Sequence, residues 1–229
     1  MRFDVLTLFP KMIETYFDYS ILKRASQSDL IKLNTINPRD FTLDKHKKVD
    51  DTPYGGGAGM VLMAQPYVDA YESIEKYEKS CTIMMTPQGE VLNNDIAQEL
   101  AEFNQLIILC GHYEGYDEII REIISPREIS MGDFVLTGGE LPALCIIDSV
   151  CRKIDGVLGK IESADEDSFE NGLLEYPHYT KPREYRGLEV PKVLLNGNHK
   201  EINDFRFQQM LERTKVKRPD LYEKYKESN

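Results

Sequence analysis

Three short apolar segments of this chain each run straight into a glycine-bearing loop. Cys81–Met85 leads into Thr86-Pro87-Gln88-Gly89, and Leu106–Cys110 into Gly111-His112-Tyr113-Glu114-Gly115. Glu128–Leu136 breaks at Thr137-Gly138-Gly139 and opens a helix at Glu140-Leu141-Pro142-Ala143. Glycines let backbone N–H and carbonyl groups approach a bound molecule closely. Open α/β sheets bind ligands at the carboxyl ends of their strands. Three such loops therefore point to one pocket shared between them.

The remaining pattern fits an alternation of strands and helices, and hence a mostly parallel sheet covered by helices. Arg2–Leu8 and Leu30–Ile36 read as strands, and Pro10–Ser28 reads as one helix. Asn37–Met60 is polar and loop-like. Helices are expected at Gln65–Lys79, Asn93–Phe103, Tyr116–Ile124 and Gly139–Ile154. In the last of these, Leu144, Ile147, Cys151 and Ile154 share one face. Gly159–Leu174 is acidic and reads as a linker or mobile loop. Two helices follow, near His199–Thr214 and Pro219–Lys226. The expected division is residues 1–159, a linker over 160–176, and a small helical domain over 177–229.

Charge and cysteine usage narrow the function classes. A net charge of −11 argues against generalised nucleic-acid binding. The balance is uneven, however: residues 178–229 carry 12 Lys+Arg against 8 Asp+Glu, while residues 1–177 carry 16 against 31. A basic tail segment on an acidic body permits a local RNA contact. Cys81, Cys110, Cys145 and Cys151 form no Cys-x-x-Cys pair and read as free buried thiols of a reducing compartment. No apolar run approaches the roughly 20 residues of a membrane span. Met1–Leu6 reads as a strand rather than a signal peptide, so a cytoplasmic location with no membrane partner is expected.

The chemistry-bearing residues remain ambiguous by pattern alone. Asp51–Met60 holds Gly55, Gly56, Gly57 and Gly59, but it is neither a Walker A loop nor a dinucleotide-binding loop. It is either a flexible surface loop or backbone meant to lie against a ligand. Asp44-Lys45-His46-Lys47-Lys48 is either a solvated turn or a set of RNA backbone contacts. Glu114 either accepts hydrogen bonds from a ligand or caps the next helix. Arg152 sits where a cation suits a helix C-terminus, and Asp167 is one acid among several. The four histidines and four cysteines have no metal-ligand spacing, so no metal site is expected.

In combination the motifs are more specific. Asn37-Pro38-Arg39-Asp40-Phe41, Pro53-Tyr54-Gly55-Gly56-Gly57-x-Gly59-Met60, Cys110-Gly111-x-Tyr113-Glu114-Gly115, Gly132–Ala143, Glu166-Asp167-Ser168-Phe169 and Pro177-His178-Tyr179-Thr180 occur in this order. Together they resemble the bacterial tRNA (guanine-37-N1)-methyltransferases of the SPOUT superfamily, from residue 1 to beyond 215. The resemblance implies an α/β domain with a deep trefoil knot, a small helical C-terminal domain, and a homodimer whose active site is shared between subunits. It implies S-adenosyl-L-methionine as methyl donor and tRNA with guanine at position 37 as acceptor. Magnesium is associated with this family, although no residue spacing here offers a dedicated site.

Carried over residue by residue, the resemblance assigns the donor site to Met84, Met85, Thr86, Pro87, Gly111, Glu114, Met131, Gly132, Leu136, Gly138, Gly139 and Pro142. Met84 stands where the resemblance places an aromatic residue. The tRNA contacts would be His46, Asp50, Gly55, Gly57, Gly59, Ser163 and Ser168. Asp167 would be the general base and Arg152 the group stabilising charge on the guanine. The competing expectations are another knotted RNA methyltransferase and a non-catalytic, S-adenosylmethionine-responsive RNA-binding protein.

Overall fold

The computed structural model describes residues 1–158 and 167–228, in two compact units, 1–159 and 160–229. In the first unit, five parallel strands form one sheet in the order β2-β1-β6-β5-β7. They are β1 (Arg2–Leu6), β2 (Lys32–Ile36), β5 (Ser80–Val91), β6 (Gln105–Leu109) and β7 (Arg127–Ser130). The central strands β1, β6 and the first half of β5 are mostly apolar on both faces because helices cover both faces of the sheet, as is usual for parallel sheets. On one face, Phe3, Val5, Ile83, Met85, Leu106 and Ile108 pack under α1 (Pro10–Phe17), α2 (Ser20–Gln27), α4 (Asn94–Ala101) and α6 (Glu140–Cys151). On the other, Leu6, Met84, Ile107 and Leu109 pack under α3 (Ala64–Glu72) and α5 (Glu118–Ile124). Each fully buried large side chain contributes about 1.5–3 kcal/mol. Asp4, in β1, is fully buried and held by Arg2, Asn34 Nδ2 (2.7 Å) and Gln105 Nε2 (2.7 Å).

Several sequence expectations are corrected here. The single helix over Pro10–Ser28 is two, broken where Ser20 takes a φ of 51°, a region sparsely allowed to side-chain-bearing residues. The polar stretch 37–60 is partly ordered. It holds a 3-10 turn at Pro38–Asp40, and β3 (Asp50–Asp51) pairs antiparallel with β4 (Val61–Leu62). The helix from Gln65 ends at Glu72, where the Ser73 hydroxyl donates back to the Ala70 carbonyl. The strand expected to stop at Met85 continues to Val91. Met85 and Glu90 both face Ile129 of β7, so residues 86–89 bulge out and the strand then resumes. Cys145 is exposed and Cys81 only partly covered; Cys145 lies on the outward face of α6, one turn from exposed Leu141.

The second unit contains the hairpin β8 (Glu184–Tyr185) and β9 (Leu188–Glu189), then α7 (His199–Lys217) and α8 (Pro219–Ser228). Asn198 caps α7 by accepting from the Glu201 N–H. The second half of the expected linker is part of this unit's packing. Leu173 is fully buried with Tyr176 and Met210, and the Leu174 N–H donates to Thr214 Oγ1 at 2.8 Å. Among the described residues no helix is long and apolar enough to cross a membrane.

Candidate active site

The three glycine loops meet at the bulge of β5 and the carboxyl ends of β6 and β7, around a cleft of about 710 Å³, open mouth included. Met85, Thr86 and Pro87 line it from the first loop, Gly111 from the second, and Met131, Leu136, Gly138, Gly139 and Pro142 from the third. Three other residues assigned to the donor site stand elsewhere. Met84 is wholly buried in the opposite core layer, because successive side chains of a strand alternate faces. Gly132 lies under the Phe134 ring, with its N–H donated to Ser130 Oγ. Glu114 is exposed and lies beside Gly59, where any Cβ would overlap its carboxyl group.

That last juxtaposition joins two motifs that looked separate. The Glu114 N–H donates to the Met60 carbonyl at 3.0 Å, and the Leu62 N–H to the Gly115 carbonyl at 2.9 Å. The glycine-dense segment is therefore tied to the second loop. A Cβ on Gly55 (φ 85°) would meet nothing within 4 Å, and one on Gly57 (φ 134°) only Pro53 Cγ at 3.7 Å. Asp50 is half-buried in β3, and His46 is exposed in a turn held by Asp44 Oδ2. Ser163 lies outside the described residues.

Below the cleft a buried chain of polar groups links distant segments. Glu140, 1% exposed at the start of α6, accepts from Thr7 Oγ1 at 2.5 Å and pairs with His112 Nε2 at 2.7 Å. Phe9 packs on the His112 ring at 4.9 Å. The carboxyl thus pins the end of β1, the second loop and the third loop to one another. Sequence reading missed Thr7 and His112, because nothing local announces a partner 133 residues away. Glu140→Ala is expected to strand both partners and leave a void, lowering unfolding free energy by about 2–4 kcal/mol in urea denaturation.

Two glycines of the third loop are required by proximity alone. A Cβ on Gly139 would lie 2.7 Å from both Cys110 Cα and Gly111 N, and one on Gly138 would overlap the His112 ring. The Gly139 N–H donates to the Gly111 carbonyl at 2.8 Å. Arg152 is exposed at the C-terminal end of α6. In the second unit, Asp167 begins a tight turn in which the Glu170 N–H donates to its carbonyl. Ser168 is half-buried there and its Oγ accepts from the Glu175 N–H at 3.0 Å. Burial raises the Cys110 thiol well above its usual range and the Cys151 thiol to about 12, so neither is a nucleophile at neutral pH. Among the described residues no three His, Cys, Asp or Glu side chains converge as a metal site.

Comparison with known proteins agrees with this geometry. Residues 1–224 match the family model described as tRNA (Guanine-1)-methyltransferase TrmD. The chain is 55% identical over 226 residues to a tRNA (guanine-N(1)-)-methyltransferase of Clostridium botulinum, covering 99% of this chain and 93% of that protein. It is 54% identical over 224 residues to the protein so named in Desulforamulus reducens, covering 96% and 88%. The corresponding figures for Staphylococcus epidermidis are 53% over 225 residues, covering 98% and 92%.

Proposed function

The chain belongs to the tRNA (guanine-1)-methyltransferase family, and from that premise we propose how its residues divide the work of methylating N1 of guanine 37 in the tRNA anticodon loop. The product would be 1-methylguanosine beside the anticodon, a modification that supports reading-frame maintenance. The methyl donor is S-adenosyl-L-methionine. The observation that carries the reading is the cleft between the three glycine loops. Its backbone walls come too close for any Cβ at Gly139, and its lining mixes apolar residues such as Met85, Ile129 and Leu136 with polar ones such as Thr86, Ser130 and Thr137. This suits a nucleoside-bearing donor. A trefoil knot through these loops belongs to the proposal.

S-adenosylmethionine supplies a methyl group already activated by a sulfonium. The protein's task is therefore to prepare the acceptor, since guanine N1 is protonated and a poor nucleophile at neutral pH. Asp167 takes the N1 proton as general base, which requires hydrogen-bond reach of about 2.6–3.2 Å. Arg152 stabilises the negative charge that then grows on O6. The target base must leave the anticodon-loop stack to be reached. His46, Asp50, Gly55, Gly57, Gly59, Ser163 and Ser168 would hold the RNA, aided by the basic character of residues 178–229. No magnesium site is assigned.

We further infer that two copies assemble, with Asp167 and Arg152 of each active site coming from different chains. An apolar patch in the first unit supports assembly. Met12 and Tyr16 lie one turn apart on α1, Leu141 and Cys145 one turn apart on α6, and all four are exposed. The Tyr16 hydroxyl donates to Asp148 Oδ2 at 2.7 Å, bringing the two helices together. Such patches on isolated chains commonly mark interaction surfaces, and a two-fold dimer is the commonest solution. A cytoplasmic location is part of the same reading.

The deciding experiment is transfer of labelled methyl to an unmodified tRNA transcript with guanine at position 37, beside one with adenine there. Methylation of the guanine transcript alone, yielding 1-methylguanosine, is expected. Transfer to neither, with donor binding intact, would favour the RNA-binding regulator. Arg152→Ala is expected to lower single-turnover rate by about 10²–10³-fold while tRNA affinity changes little. If only affinity falls, Arg152 contacts phosphate instead. Mixing Arg152→Ala and Asp167→Asn dimers should restore partial activity.

A further inference from the structure

Among the described residues, two buried side-chain polar atoms lack a hydrogen-bond partner, the Tyr116 hydroxyl and Arg121 Nε. Both residues line the cleft between the glycine loops. Buried polar groups are nearly always paired, so two unpaired ones in one wall require an explanation. Tyr116 is 9% exposed, and its ring stands edge-on to Tyr67 at 5.7 Å. The Tyr67 hydroxyl, one layer deeper, is satisfied by the Cys110 carbonyl at 3.0 Å. The Tyr116 hydroxyl instead ends beneath the second loop, 3.2 Å from where a Cβ on Gly111 would be. Arg121 is committed elsewhere: Nη1 donates to Glu118 Oε2 at 2.6 Å, and Nε lies 3.3 Å from Glu128 Oε1 but out of line for a hydrogen bond.

Resting on the reading of this cleft as the methyl-donor site, we propose that the Tyr116 hydroxyl is a further donor-binding group, giving a hydrogen bond to an oxygen or ring nitrogen of the nucleoside half. Arg121 is the one permanently charged residue in the lining. Glu118 and Glu128 offset its charge, so this wall presents no free ion to the donor's carboxylate or ammonium, and the uncharged adenine and ribose acceptors suit the neutral hydroxyl. Burial holds the phenol far above its ordinary range, so it remains a neutral O–H donor at neutral pH. A site built around such a group rejects ligands that leave it unpaired.

Tyr116→Phe removes only the oxygen. By calorimetric titration it is expected to weaken S-adenosylmethionine binding about five- to tenfold, the usual size of one neutral hydrogen bond. Methylthioadenosine, which keeps the nucleoside and lacks the amino acid, should weaken by the same factor. The melting temperature of the ligand-free protein should not fall, because an unpaired buried hydroxyl has been removed. Tyr67→Phe, which breaks a made bond, should lower it. Donor affinity within twofold of wild type, or a loss confined to S-adenosylmethionine, would overturn the proposal. Wild-type protein that binds neither probe would overturn the reading of the cleft itself, a failure recognisable before any variant is made.

Discussion

Asp167→Asn is expected to reduce methyl transfer by about 10²–10⁴-fold in single-turnover assays, the usual contribution of a positioned general base. S-adenosylmethionine and tRNA affinities should stay within about twofold of wild type. The substitution preserves shape, so the turn it begins should persist. The main-chain bond from Glu170 to the Asp167 carbonyl is untouched, and so is the Ser168 Oγ contact to Glu175. The change removes the carboxylate's charge and its basicity, since a carboxamide oxygen is a far weaker base than a carboxylate. The loss should therefore fall on the chemical step and leave binding alone. Turnover retained by the variant would remove Asp167 from the mechanism and direct attention to other acids of the Glu162–Asp167 run.

Gly139→Ala is expected to weaken donor binding by about 5- to 150-fold, the range that roughly 1–3 kcal/mol of overpacking strain produces. Equilibrium dialysis with labelled S-adenosylmethionine would measure it. The cause is steric rather than conformational. Gly139 has a φ of −83°, accessible to any residue. The new methyl would instead meet main-chain atoms of Cys110 and Gly111, at 2.7 Å. Backbone cannot rotate away as a side chain can, so the second and third loops would have to separate and the cleft would widen. Gly55→Ala is the contrasting case. Its Cβ meets nothing within 4 Å, but its φ of 85° strains any other residue, so that change should cost stability locally and leave donor affinity intact. Equal donor affinity in wild type and Gly139→Ala would mean that the loops move freely and do not shape the cleft.

Much of the first unit was legible because apolar runs and helical spacing are local signals. The three glycine loops announced a common cleft, and nine of the twelve residues assigned to it line one. Met84 lies outside that lining, and the signal for this was present in the sequence. In a strand buried on both faces, period two sends Met84 and Met85 to opposite layers, and only Met85 reaches the cleft. The strand order β2-β1-β6-β5-β7 could not be read, because pairing between distant segments has no local signature. The Thr7–Glu140–His112 chain was hidden for the same reason. The break at Ser20 was hidden because helical spacing continues across it while the backbone does not. The second half of the 160–176 segment looked like a linker by composition. Leu173 and Tyr176, two apolar residues among polar ones, belong to the core of the second unit.

The pairing of β5 also governs which lengths of chain this site can accept. Because Met85 and Glu90 both face Ile129, the excursion between them is anchored in the sheet at each end. Ordinary surface loops absorb insertions at little cost, and this one cannot. One added or deleted residue would move Gly89 from the point where any Cβ would come within 2.4 Å of the Glu128 and Ile129 main chain, or else displace the Glu90 contact to Arg127 and the Leu92 bond to the Ser130 carbonyl. Variation here is therefore confined to exchange of side chains at fixed length, and a library that diversifies residues 86–88 by substitution should retain the fold where one that varies their number loses it.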